Sequence, residues 1–137
     1  MFKNTLAAAA LATAALTGGA QAGVQQTYEC ETTNSARYGW ISDKFYFIYD
    51  AEAKRGWVYD GMVASQQKDA REVAFEVRSD TSYKFKWTME NLKGRDGSVD
   101  ATYNATLFTA RNRFSINGHL HGWGNQLAGG GTCKKMR

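Results

Sequence analysis

The sequence predicts an all-β domain. The expected form is a small antiparallel meander of seven or eight strands, closing into a barrel or folding into a two-sheet sandwich, with its two ends tied by a disulfide. Three observations carry this. Apolar and polar residues alternate with a period of two through much of the chain after residue 22, the mark of half-buried strands. Helical periodicity is almost missing there. The chain also holds 2 cysteines, Cys30 and Cys133, one near each end of the part expected to fold.

The chain opens MFKNTLAAAALATAALTGGAQAGVQQ. Lys3 precedes an apolar run from about Leu6 to Leu16, and Ala20-Gln21-Ala22 places small residues at the −3 and −1 positions of a cleavage site. This is the layout of a secretory signal peptide. The run is shorter than the ~20 residues that span a bilayer. It ends in Gly18-Gly19, and no cysteine follows it for lipid attachment. Residues 1–22 are therefore expected to be a signal peptide cut after Ala22, and residues 23–137 a single all-β domain in the periplasm or outside the cell. In such an oxidising compartment Cys30 and Cys133 are expected to be bonded to each other. Closing a loop of about 100 residues is worth up to ~4.7 kcal/mol in the chain-entropy model.

The strands follow in order. One is expected over about 24–31. KFYFIYD (Lys44 to Asp50) and GWVYDGMV (Gly56 to Val63) come next, joined by the polar AEAKR and dense in aromatics on both faces. SQQKDA (Ser65 to Ala70) fits a helical turn or a loop. Val73, Phe75 and Val77 then alternate with Glu72, Glu76 and Arg78. After the turn RSDTS, Tyr83, Phe85, Trp87 and Met89 alternate with Lys84, Lys86, Thr88 and Glu90. The last pair, 99–109 and 113–123, is expected to turn at Arg111-Asn112. That register sets Leu107 against Ile116, Ala105 against Gly118 and Tyr103 against Leu120 on the core side. It sets Phe108 against Ser115, Thr106 against Asn117, Asn104 against His119 and Thr102 against His121 outside. A one-residue slip would mix the two sets, which specifies the faces tightly. Gly118, Gly122 and Gly124 are expected along the core face of that strand. Gly129 to Gly131 are read as a flexible tail that returns Cys133 to the first strand. Closure removes the open sheet edges. An eight-stranded barrel can be filled by its own side chains or hold one small ligand. The bulky Phe45, Phe47, Trp57, Phe75, Phe85 and Trp87 predict the filled form.

No residue constellation points to catalysis. Nothing matches a Ser-His-Asp arrangement, a nucleophile elbow, a phosphate loop or a dinucleotide fingerprint. The 2 histidines, His119 and His121, point the same way from one strand, about 7 Å apart, and such a pair can chelate a metal. Zinc, however, takes three or four ligands. There is no third histidine, both cysteines are expected to be oxidised, and Asp100, opposite Trp123 in this register, is the nearest carboxylate. No metal and no cofactor are therefore expected. The 17 basic residues less Lys3, set against 13 acidic ones, leave a mild and scattered excess. Its small cluster at Lys134, Lys135 and Arg137 is no nucleic-acid footprint.

What remains is binding. The polar face of the last hairpin carries Thr102, Asn104, Thr106, Arg113, Asn117, His119, His121 and Trp123. Tryptophan and arginine are the residue types that most often anchor interfaces. The expected function is a secreted, non-catalytic binding or structural module, and the expected partner is another exported or cell-envelope protein. Tyr28-Glu29-Cys30, the β-meander and the late cysteine resemble the periplasmic inhibitors of c-type lysozyme, which are small disulfide-closed barrels that block the enzyme's cleft. The resemblance covers the YxC start and the cysteine layout. That family's serine- and lysine-bearing loop motif is not visible here, and a basic inhibitor gains no long-range steering towards a basic enzyme. The resemblance implies an inhibitor as one alternative. A lipocalin-like carrier of a small apolar ligand is the other.

Overall fold

A computed structural model describes residues 23–35, 39–124 and 126–137. The expected signal peptide lies outside these residues. The described chain is an eight-stranded antiparallel barrel in which each strand pairs with the next and the last pairs with the first. The strands are β1 (Gln26–Ser35), β2 (Lys44–Asp50), β3 (Arg55–Asp60), β4 (Arg71–Ser79), β5 (Ser82–Gly94), β6 (Gly97–Phe108), β7 (Arg113–Leu120) and β8 (Gln126–Met136). One short helix, α1 (Gly61–Gln66), joins β3 to β4. Cys30 and Cys133 face each other across the β1–β8 seam and are bonded.

The period-two pattern becomes the barrel wall. Inward residues of β5 and β6 are buried (Tyr83, Phe85, Trp87 and Met89; Ala101, Tyr103, Ala105 and Leu107), while their neighbours face out. Phe45, Phe47, Phe85 and Phe114 interlock near the middle, with ring centroids 5.0 to 5.7 Å apart along the chain of contacts. Edge-to-face and tilted pairs of this kind add about 0.5–1.5 kcal/mol each beyond the area they bury. Phe45, Phe47 and Phe85 are at most 1 % exposed, so the interior is filled by side chains. Trp57 corrects one expectation. It pairs with Ile48 and Glu72 on the outer wall, is half-buried there, and lies under the Arg55 guanidinium at 5.0 Å.

Further expectations need correction. The segment from Gly56 is not extended through Val63. It leaves the sheet at Asp60, whose carboxylate accepts the Val63 N–H at 2.8 Å and starts α1. Aspartate at an N-cap satisfies an otherwise orphaned donor, and this outweighs the extended pattern of the preceding residues. The helical turn thus covers residues 61–66 and not 65–70. The glycine-rich tail is a full strand, β8. A Cβ on Gly130 would lie 2.7 Å from the Phe114 carbonyl oxygen, and one on Gly129 would lie 2.9 Å from that of Asn34. These glycines let β8 press between β7 and β1.

The last hairpin is displaced by two residues from the expected pairing. Phe108 faces Arg113, Thr106 faces Ser115, Asn104 faces Asn117 and Thr102 faces His119. The connection has four residues, Thr109 to Asn112, and Asn112 takes a left-handed backbone with φ 51°. A shift of two preserves both faces, so the core set and the polar set survive it. β7 ends at Leu120, and Gly122 and Gly124, at φ 85° and 68°, form a turn beyond the strand.

Candidate functional site

The outer wall of β6 and β7 gathers seven of the eight predicted face residues. Thr102, Asn104, Thr106 and His119 are half-buried, while Arg113, Asn117 and His121 are exposed. His121 lies just past the end of β7, held by its backbone N–H donating to the Asp100 carbonyl at 2.8 Å. Its Nε2 is 2.8 Å from Thr102 Oγ1, which lies 2.9 Å from Thr88 Oγ1, so a hydrogen-bonded row crosses three strands' worth of wall. The two imidazoles are 5.9 Å apart, centroid to centroid. His119 Nδ1 is buried without a hydrogen-bond partner. Among the described residues no group of three or more histidine, cysteine or carboxylate side chains is placed to hold a metal ion.

Trp123 leaves this wall. The glycine turn carries it to one end of the barrel, where it is 59 % exposed. There it lines an open cleft of about 560 Å³ with Trp40, Leu120, Leu127 and the tip of the β5–β6 hairpin. That tip is a two-residue turn, Arg95-Asp96, between paired Gly94 and Gly97. It brings one charge of each sign and the Ser98 hydroxyl to the rim of an otherwise apolar floor.

The position of Trp40 is built from the core outward. Gly118 of β7 faces Tyr103 of β6, and a Cβ there would lie 3.0 Å from the tyrosine ring. Without one, Tyr103 can lie flat, stacked on Trp87 with centroids 5.5 Å apart. Its hydroxyl then reaches the barrel end and donates to the Trp40 carbonyl at 2.6 Å. Burial, with the Asp60 carboxylate nearby, pushes the Tyr103 hydroxyl well above the usual phenol range, so it stays a donor. The segment bearing Trp40 is thereby tied over the end of the barrel. A second depression, of about 470 Å³, lies between the same indole and α1. Below α1, Asp60 Oδ2 accepts the Ser42 hydroxyl at 2.7 Å. Burial raises the Asp60 carboxyl above the ordinary range, partly offset by the hydrogen bonds from Val63, Ser42 and Met62.

Sequence reasoning singled out Trp123 but not Trp40, Arg95 or Asp96. Two signals were available. Trp40 sits in a stretch without alternation, where a large aromatic has no strand face to fill. Arg95-Asp96 between glycines is a hairpin-turn pattern that exposes its central side chains. No helix among the described residues is long and apolar enough to cross a membrane. No family model matches the chain, and no curated protein or solved structure matches it.

Proposed function

We propose that the protein is an exported, non-catalytic binding module that grips another exported or cell-envelope protein with the Trp40–Trp123 end of its barrel. The single observation that carries this is Trp123, 59 % exposed and set in a cleft beside a second tryptophan. An indole held in water costs solvation and contributes nothing to the core. Buried on a partner, it is among the strongest interface anchors. The polar wall from Thr102 to His121 adjoins the cleft and supplies hydrogen-bonding groups for the rim of such an interface. The filled interior supports binding outside the barrel rather than within it. The intramolecular disulfide accords with an oxidising compartment, and the leader-like N-terminus supports export to the periplasm or beyond.

A small apolar ligand is the second reading. The cleft volume falls within the ~300–1,000 Å³ of small-molecule sites, and Val99, Leu120 and Leu127 line it. Calorimetry on the oxidised mature protein distinguishes the two. Purified envelope proteins recovered on the wild type should lose at least about tenfold in affinity to Trp123→Ala, the scale of a hot spot, at an unchanged melting temperature. Glu76→Ala, exposed on β4 towards the other end of the barrel, should bind as the wild type does. Equal affinity for wild type and Trp123→Ala would refute the proposal. Saturable binding of a lipid-like compound without any protein partner would favour the second reading.

A further inference from the structure

The other end of the barrel carries an acidic socket. Asp50 ends β2 and is 6 % exposed. Its Oδ1 accepts the Ala53 N–H at 3.0 Å and so shapes the turn into β3. The segment that leads into β1 lies across it. A Cβ on Gly23 would lie 3.2 Å from Asp50 Cγ and 3.1 Å from Glu52 Cβ, and would collide with Asp50 Oδ1. Position 23 therefore fits glycine and brings its backbone against a buried carboxylate.

We propose that Asp50 and its turn form a binding site for an α-ammonium group, and that its occupant is the chain's own N-terminus at Gly23, released by signal peptidase. The inference rests on the cut after Ala22 expected from the sequence and is independent of the binding role above. In the cleavage, water adds across the Ala22–Gly23 bond. The new carboxylate departs with the leader, and the Gly23 amine takes up a proton. A backbone nitrogen is about 2.5 Å from its own Cβ position, which places it within about 6 Å of Asp50 Cγ. Opposite charges at that range favour the ionised pair. In the precursor the same nitrogen is an uncharged amide, so the pair forms only on processing and fastens the first strand to the β2–β3 turn.

The other charged groups at this end are few. Glu52, Asp80 and Lys135 line the same depression, with Tyr28, Tyr49 and Tyr83 behind them. Arg55 faces Asp50 across β2–β3, but its guanidinium is taken by Glu72 in two hydrogen bonds of 2.9 Å. Among the described residues no ion pair reaches Asp50. Lys135, Lys54 in the β2–β3 turn and Arg55, whose charge also acts on Asp50, compete with an arriving ammonium, but none of them is paired with the Asp50 carboxylate.

The test compares the mature chain, residues 23–137, with a free or an acetylated Gly23, each with Asp50 and with Asp50→Asn. At pH 6.5 acetylation should lower the melting temperature by about 4 °C when Asp50 is present and by under about 1 °C in Asp50→Asn. Pairing raises the amine pKa above its ordinary ~8. The stabilisation is therefore fully present below that value and lost as pH rises through the raised one, so the acetylation effect should fade in alkali. Equal melting of the free and acetylated forms, or an undiminished effect in Asp50→Asn, would overturn the proposal. So would an exported protein whose first residue is not Gly23. Should Asp50→Asn not fold, amine acylation at pH 7.5 decides on the wild type. It should be about tenfold slower folded than unfolded, and equal rates would overturn the proposal.

Discussion

At the scale of single residues, Trp87 shows how the alternation sets cost. It is 5 % exposed, stacks on Tyr103 and leaves its indole Nε1 buried without a partner. Trp87→Ala should cost ~3–5 kcal/mol, as large-to-small core substitutions do. Trp87→Phe keeps a ring against Tyr103 and removes an unpaired donor whose burial costs ~1–3 kcal/mol, so its loss should stay under ~1.5 kcal/mol. Lys86→Ala, one residue away and exposed, should stay within ~0.5 kcal/mol. Urea denaturation midpoints check all three. Equal effects at positions 86 and 87 would mean the inward phase of β5 is wrong. This phase was legible in the sequence because a tryptophan and three other apolar residues share one parity between lysines. The opposite orientation of Trp57 was not. Both aromatics of the strand from Arg55 to Asp60, Trp57 and Tyr59, share one parity, yet that parity faces the outer wall and the smaller Val58 between them fills the core.

At the scale of elements, the strands were read well and their ends poorly, for a physical reason. Side-chain period fixes which face is buried, and any shift of two residues leaves it intact, so the β6–β7 register depended on the length of the connection. That length was set by Asn112 in a left-handed conformation, which the sequence alone does not force. β8 lacked the alternation because its glycines answer to the backbones of β1 and β7 rather than to the core. Helix α1 was hidden by a residue acting as its cap. Asp60→Ala should cost ~1–2 kcal/mol, the usual loss on removing an N-cap, whereas Asp60→Asn retains the acceptor for Val63 N–H and should be nearly neutral. The pair also gives a pH test. Burial raises the Asp60 carboxyl above its ordinary range, so ionising it opposes folding. Relative to Asp60→Asn, the wild type should be most stable below about pH 4, where the carboxyl is neutral in both states. It should lose ground as pH rises through the raised value and stay level above it. Melting temperatures from pH 3 to 8 decide it. A wild type that gains on Asp60→Asn with rising pH would show that the site favours the charge.

At the scale of the whole molecule, two devices close the barrel: the β1–β8 ladder and the disulfide across it. Domains of this size keep only ~5–15 kcal/mol of net stability, so a cross-link worth up to ~4.7 kcal/mol is a large share. Reduction, or the double change Cys30→Ser with Cys133→Ser, should lower the urea midpoint markedly without altering the β-type circular dichroism at low urea. An unchanged midpoint would mean the seam holds without it. The pairing of the cysteines and the barrel were both legible, because two cysteines near the ends of a β-meander leave few closures. The cleft was not, since it assembles Trp40, Arg95 and Trp123 from three connections that no period relates. That assembly is the central claim, and site-specific photo-crosslinking in producing cells tests it most directly. A photoreactive residue at position 123 should give discrete adducts with an exported or envelope protein, and one at position 76, exposed on β4 towards the other end of the barrel, should give none. No adduct at 123, or the same adducts from both positions, would contradict the claim that the tryptophan end of the barrel is where this protein binds.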